Sequence, residues 1–177
     1  MPQILKTLSL LLEAGRPILT AADLADLASD EREVLLNQRI IAPARTAKYV
    51  ACDACHDDHV EEVTRIKNAR GDVFFRIRCP DAGWVDVPAE RLRQWTIDVR
   101  RLVSLLCESV GPGQSREEVI AGAVWRIGSA EFGGELYGLA FVCNGATVDN
   151  SILHQAAKKL PPGRTIIVGA CDFPDDA

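Results

Sequence analysis

Residues 51–63, ACDACHDDHVEEV, gather two cysteines, two histidines and five carboxylates into thirteen positions. Their reading decides whether the middle of the chain is a metal-stapled β module or an acidic turn. Cys52 and Cys55 form a CxxC, which supplies two thiolates from one curl of backbone, and Cys79 follows 24 residues later at the end of a strand-like run. A tetrahedral zinc needs about four such ligands. His59 is the natural fourth, because its ring can fold back over a turn toward the pair. His56, adjacent to Cys55, diverges from it and is the less favoured choice.

The pattern Cys52-x2-Cys55-x3-His59-x19-Cys79 resembles zinc-ribbon and related zinc-finger modules over about 45 residues. It departs from them at Cys79, where CPDAG offers one thiolate and no second pair. Two other readings stand beside structural zinc. A thioredoxin-like redox pair should open a helix after a strand, whereas HDDHVEEV leads into a strand. A metal-free acidic turn with incidental cysteines is the plainest alternative. Catalytic zinc lacks its usual companions, since neither HExxH nor HxE followed by PCxxC occurs.

Around this stretch, VEEVTRI, DVFFRIRC and GWVDVP alternate in the manner of strands, with NARGD and PDAG as turns, predicting a three-stranded antiparallel meander. Upstream, ILKTLSLLLEAG carries leucines at helical spacing and closes on Gly15. Thr20, with Asp23 three residues on, predicts a capping box for a second helix, and Ser29 caps a third over DEREVLLNQRI. Three short helices followed by strand-like sequence fit a helix-turn-helix or winged-helix arrangement. The third helix and its flank would then offer Arg32, Asn37, Gln38, Arg39, Arg45 and Lys48 to nucleic acid, although Asp30, Glu31 and Glu33 would repel phosphate. A small helical domain packed on a neighbour accounts for the same pattern.

Downstream of Pro88, AERLRQWTIDVRRLVSLLCESVG spaces Leu92, Trp95, Val99, Leu102 and Leu106 as one long helix, and GPGQS reads as a linker. Gly133-Gly134 predicts a hairpin turn between AVWRIGSAEF and ELYGLAFVC. A helix over DNSILHQAAKKL then connects to RTIIVGAC, an apolar strand of the kind buried within a sheet. This order resembles restriction-endonuclease-like cores over about 80 residues. Glu131, Glu135 and Asp149 would be the acids of such a site, but the acid-x-Lys those nucleases need is missing. His154 has no nucleophile beside it. A shared site from Cys143 and Cys171 requires their strands to be neighbours.

The fold class expected is therefore α+β. Residues 1–47 form a helix-turn-helix or winged-helix-like domain, 48–96 a zinc-ribbon-like β module, and 97–177 a long helix with a small α/β domain. A net charge of −5 excludes a globally basic nucleic-acid binder, so any DNA contact is local. No apolar run spans a bilayer, and six cysteines without a signal peptide point to free thiols and metal ligands in the cytoplasm. The functional expectation is a zinc-binding interaction protein, a DNA-linked regulator or an adaptor to a protein partner, with no catalytic residue assigned. A nuclease-like component is the alternative.

Overall fold

The computed structural model describes residues 3–55, 57, 59–111, 116–143, 150–160 and 163–169. They fall into two compact units, each discontinuous in sequence: Ile18–Arg32 with Ile41–Ile97, and Met1–Pro17 and Glu33–Ile40 with Asp98–Ala177. Helices and several small, mainly antiparallel sheets make the chain α+β.

Helix α1 (Gln3–Glu13) buries Leu8 and Leu12 and ends as its glycine predicts. Gly15 takes φ 64°, and Arg16 N–H reaches back to Leu11 O at 3.0 Å. Strand β1 (Ile18–Thr20) runs into α2 (Ala21–Ala25) through the expected capping box, in which Thr20 and Asp23 exchange side-chain to backbone bonds at 3.2 and 2.7 Å. Helix α3 (Ser29–Asn37) starts with Ala28 in the capping role, its N–H donating to Glu31 Oε2 at 3.2 Å. The Ser29 hydroxyl accepts from Arg32 instead.

The end of α3 differs from expectation. Ile40 N–H bonds Leu35 O at 2.9 Å and Arg39 N–H bonds Leu36 O at 3.0 Å, a Schellman closure with Arg39 at φ 54°. Gln38 and Arg39 therefore lie beyond the helix, and IAP becomes strand β2 (Ile41–Pro43).

Strand β8 (Gln94–Ile97) interrupts the long helix expected from Pro88 to Gly111. A 3₁₀ turn (Ala89–Leu92) precedes it, and α4 (Val99–Val110) begins only at Asp98, whose Oδ1 caps Arg101 N–H at 3.0 Å. Leu92, Trp95 and Val99 have helical spacing by coincidence. Pairing of QWTI with both β1 and β2 makes it the centre of a β1-β8-β2 antiparallel sheet, and this long-range pairing overrides local periodicity. Pro43 is tolerated because β2 is an edge.

Between β2 and β8 the chain builds two further sheets. Strand β3 (Tyr49–Ala51) pairs with β4 (Val60–Glu62), and β5 (Thr64–Lys67), β6 (Val73–Cys79) and β7 (Gly83–Asp86) form the meander read from the sequence. Ile77, Cys79, Val87, Leu92 and Cys52 form one buried cluster, with Phe75, Val63 and Val85 packed against it.

In the other unit, β9 (Glu117–Ile120), β10 (Val124–Phe132) and β11 (Glu135–Val142) are antiparallel. Strand β9 was not anticipated. The β10–β11 turn is the predicted one, with Gly133 and Gly134 at φ 60° and 80°. Helix α5 (Asn150–Lys159) leads to β12 (Thr165–Gly169), which joins β11 in parallel and gives the order β12-β11-β10-β9. Strand β12 was expected inside a doubly covered sheet; it is an edge, with Ile167 and Val168 exposed. Trp125 and Phe141 are buried together, ring centroids 6.2 Å apart. Among the described residues no helix is long and apolar enough to cross a membrane.

Candidate metal centre

Three-residue strands seldom hold a hairpin together alone. The loop between β3 and β4 nevertheless closes, with Cys52 N–H donating to His59 O at 2.9 Å. It carries Cys52, Cys55 and His59, and β6 delivers Cys79 because its alternation turns Phe75, Ile77 and Cys79 to the interior. The ligand atoms of Cys52, Cys55, His59 and Cys79 all lie within 4.8 Å of one another, compact enough for one ion to touch all four. This is the set read from the spacing. His56 lies outside the described residues.

The histidine is held from both sides. Nδ1 is 3.3 Å from Cys55 Sγ and 2.8 Å from Asp57 O, while Nε2 is buried without a hydrogen-bond partner among the described residues. Glu61 Oε1 approaches Nε2 at 3.8 Å. Which ring nitrogen carries the proton depends on the tautomer, but an imidazole packed against the cysteines with one buried nitrogen unsatisfied suits a metal ligand, because burying a polar atom unpaired otherwise costs free energy.

The thiols are not equivalent. A backbone hydrogen bond at Asp57 draws the Cys55 thiol down, yet burial and the neighbouring Cys79 and Cys52 thiols outweigh it and push it up to about 11. Cys79 is held below the ordinary thiol value, chiefly by the Ala82 amide, 3.3 Å from its sulfur; burial opposes this, and Asp81, Cys55 and Cys52 assist. The turn after β6 thus presents an N–H to sulfur even though it lacks a second cysteine. Thiolates in place of thiols are what an ion requires, and binding would displace the remaining protons.

Arg91, on the 3₁₀ turn, is a contributor the sequence did not announce. It donates to Asp53 Oδ2 at 2.5 Å and to Ala51 O at 2.9 Å, bracketing Cys52 from 38 and 40 residues along the chain. No local pattern signals such a contact.

The other candidates scatter. Arg32 bonds Ser29, and the backbone and side-chain oxygens of Gln38 accept from Arg101 at 2.9 and 3.4 Å, so that amide is engaged within the protein. Arg39, Arg45 and Lys48 are exposed. Of the three tryptophans only Trp84 is largely exposed, at 55%; Trp125 is buried and Trp95 half-buried. Glu131 is exposed, Glu135 is ion-paired with Arg164, and Asp149 lies outside the described residues. His154 is at the surface. Cys143 is buried with Gly122 O 3.6 Å from its sulfur, Cys107 is buried with its thiol raised by desolvation, and Cys171 lies outside the described residues. No family model, no curated protein and no solved structure matches the chain.

Proposed function

We propose that the chain is a zinc-binding interaction protein of the cytoplasm, acting as a DNA-linked regulator or an adaptor. The observation that carries this reading is the closed four-ligand set joined to the buried cluster of its unit. Three thiolates and an imidazole suit zinc among the common ions, and a full set of four protein ligands leaves no position for substrate. Such an ion holds structure, so the function falls to surfaces. Free thiols grouped this closely favour a reducing compartment, where they stay available to metal.

The DNA-linked part draws support from the element order α1-β1-α2-α3-β2 with β8 returning between β1 and β2, the order expected of a winged helix. Arg39, Arg45 and Lys48 are the exposed cations available to phosphates, opposed by Asp30 and Glu31 in the first turn of α3. The test is duplex DNA binding by fluorescence anisotropy across a salt series, with metal analysis of the same protein. One zinc per chain and an affinity that falls steeply with salt, weakened by Arg39→Ala, are expected. Absent or salt-insensitive binding removes the DNA-linked reading.

A second reading, a nuclease-like core, is favoured by the order β12-β11-β10-β9, in which a helix precedes three antiparallel strands and a second helix leads to a parallel fourth. Among the described residues, Glu131 is exposed and Glu135 pairs with Arg164 rather than a lysine, so the core fits a binding version better than an active one. Cleavage of DNA with magnesium or manganese would reverse that preference.

A further inference from the structure

A cavity of about 160 Å³ opens on one face of the four-stranded sheet, far from the cysteine cluster in sequence. Its floor is a row across three strands, Ser129 on β10, Gly138 on β11 and Thr165 on β12, which are register partners. Gly138 keeps the floor open: a Cβ there would stand 3.4 Å from Thr165 Oγ1. Two hydroxyl-bearing residues thus flank a bare stretch of backbone.

Leu136, Leu139 and Leu160 supply apolar wall, and two arginines bring the charge. Among the described residues Arg164 bonds through Nη1 alone, to Glu135 and to the Tyr137 hydroxyl, with its guanidinium 6.0 Å from the Tyr137 ring centroid. Its remaining nitrogens keep their donors, and Glu135 and Tyr137 fix its position. Arg126 is half-buried and forms no hydrogen bond or ion pair among the described residues; Glu117, its register partner on β9, is exposed and does not bridge to it. A partly desolvated guanidinium beside the Thr165 hydroxyl, with no carboxylate partner of its own among the described residues, favours an anion.

The geometry points to a binding site for a phosphate group carried by a small molecule or free in solution. The volume lies below the roughly 300 Å³ at which drug-sized ligand pockets begin, so a small tetrahedral anion fits where a whole nucleotide does not. A phosphate offers several acceptor oxygens to a fork of N–H donors and the Thr165 hydroxyl, and the guanidinium matches it in two-point geometry. Because Glu135 already balances Arg164, Arg126 supplies the net charge.

The full-length protein is titrated with inorganic phosphate, followed by amide shifts in a ¹⁵N-correlated spectrum, with sodium chloride at matched ionic strength as the control. Saturable shifts at Ser129, Gly138 and Thr165 below about 10 mM phosphate are expected. Arg126→Met should weaken binding at least tenfold. Gly138→Ala, which fills the floor without touching a charge, should do the same with the remaining spectrum unchanged, and it serves alone if Arg126→Met does not fold. Shifts equalled by chloride, or phosphate binding unchanged in the Gly138→Ala protein, would overturn the site. A single-stranded oligonucleotide without terminal phosphate that shifts these amides while inorganic phosphate does not would overturn the ligand class.

Discussion

Replacing Cys79 by alanine removes the one ligand that comes from outside the β3–β4 loop, leaving Cys52, Cys55 and His59 with no partner from the meander. The consequence is read through linkage, because metal that binds only the folded state stabilises it by about 2.7 kcal/mol at a free concentration 100 times the dissociation constant. The affected unit, Ile18–Arg32 with Ile41–Ile97, has roughly seventy residues, and in a domain of that size each kcal/mol moves the midpoint by about 4–8 °C. Zinc added to wild-type protein at that excess should raise this unit's melting transition by about 10–20 °C over the same protein in EDTA. The Cys79→Ala protein should melt at the same temperature in zinc and in EDTA, apart from residual binding by three ligands. Scanning calorimetry resolves the unit's transition, and comparing each variant with itself cancels any packing effect of the substitution. A wild-type midpoint indifferent to zinc, or a Cys79→Ala midpoint that responds equally, would refute the staple.

Arg91→Ala should leave all four ligands in place but weaken metal binding about 10–100-fold, since it frees the loop that holds Cys52 from its anchor at Asp53 and Ala51; competition with a chromophoric chelator measures it. Metal affinity should also fall as pH is lowered from 8 to 6. The Cys55 thiol at about 11 is protonated throughout that window, so loading displaces its proton, and each displaced proton weakens apparent affinity about tenfold per pH unit. Arg39→Gly should raise the thermal midpoint, because a non-glycine residue at φ 54° costs about 1–2 kcal/mol that glycine avoids; a lowered midpoint would give the side chain a structural role. Thr20→Ala should destabilise its unit by about 1 kcal/mol in chemical denaturation through loss of the α2 cap.

What could be read from the sequence follows interaction range. The Thr20–Asp23 box, the Gly15 ending of α1 and the Gly133-Gly134 hairpin are specified within four residues, and each appears where its chemistry requires. The four-residue cluster was legible although Cys79 is distant, because cysteine spacing constrains ligands whatever lies between. Strand β8 was hidden: Gln94–Ile97 belongs to a sheet only through β1 and β2, more than fifty positions earlier, and nothing local separates it from the amphipathic run into α4. Arg91 was hidden for the same reason.

That long-range pairing would give a metal at the four-residue cluster a second task. The chain leaves the β1-β8-β2 sheet after Pro43 and returns at Gln94, and the two crossing segments are tied by Ala44 N–H to Gln94 O at 2.9 Å and Ala47 N–H to Leu92 O at 2.8 Å. Without internal order the intervening loop of about fifty residues would oppose closure with an entropy that grows as the logarithm of its length. Folding β3 to β7 around the cluster replaces that floppy loop with a short, rigid stem. Leu92 links the two events, since it belongs to the buried cluster with Cys52 and Cys79 and lies two residues before β8. Metal binding at the cluster would therefore be coupled to the register of β8 between β1 and β2, and loss of the ion should loosen β8 amides along with those of the ligand loop in hydrogen exchange.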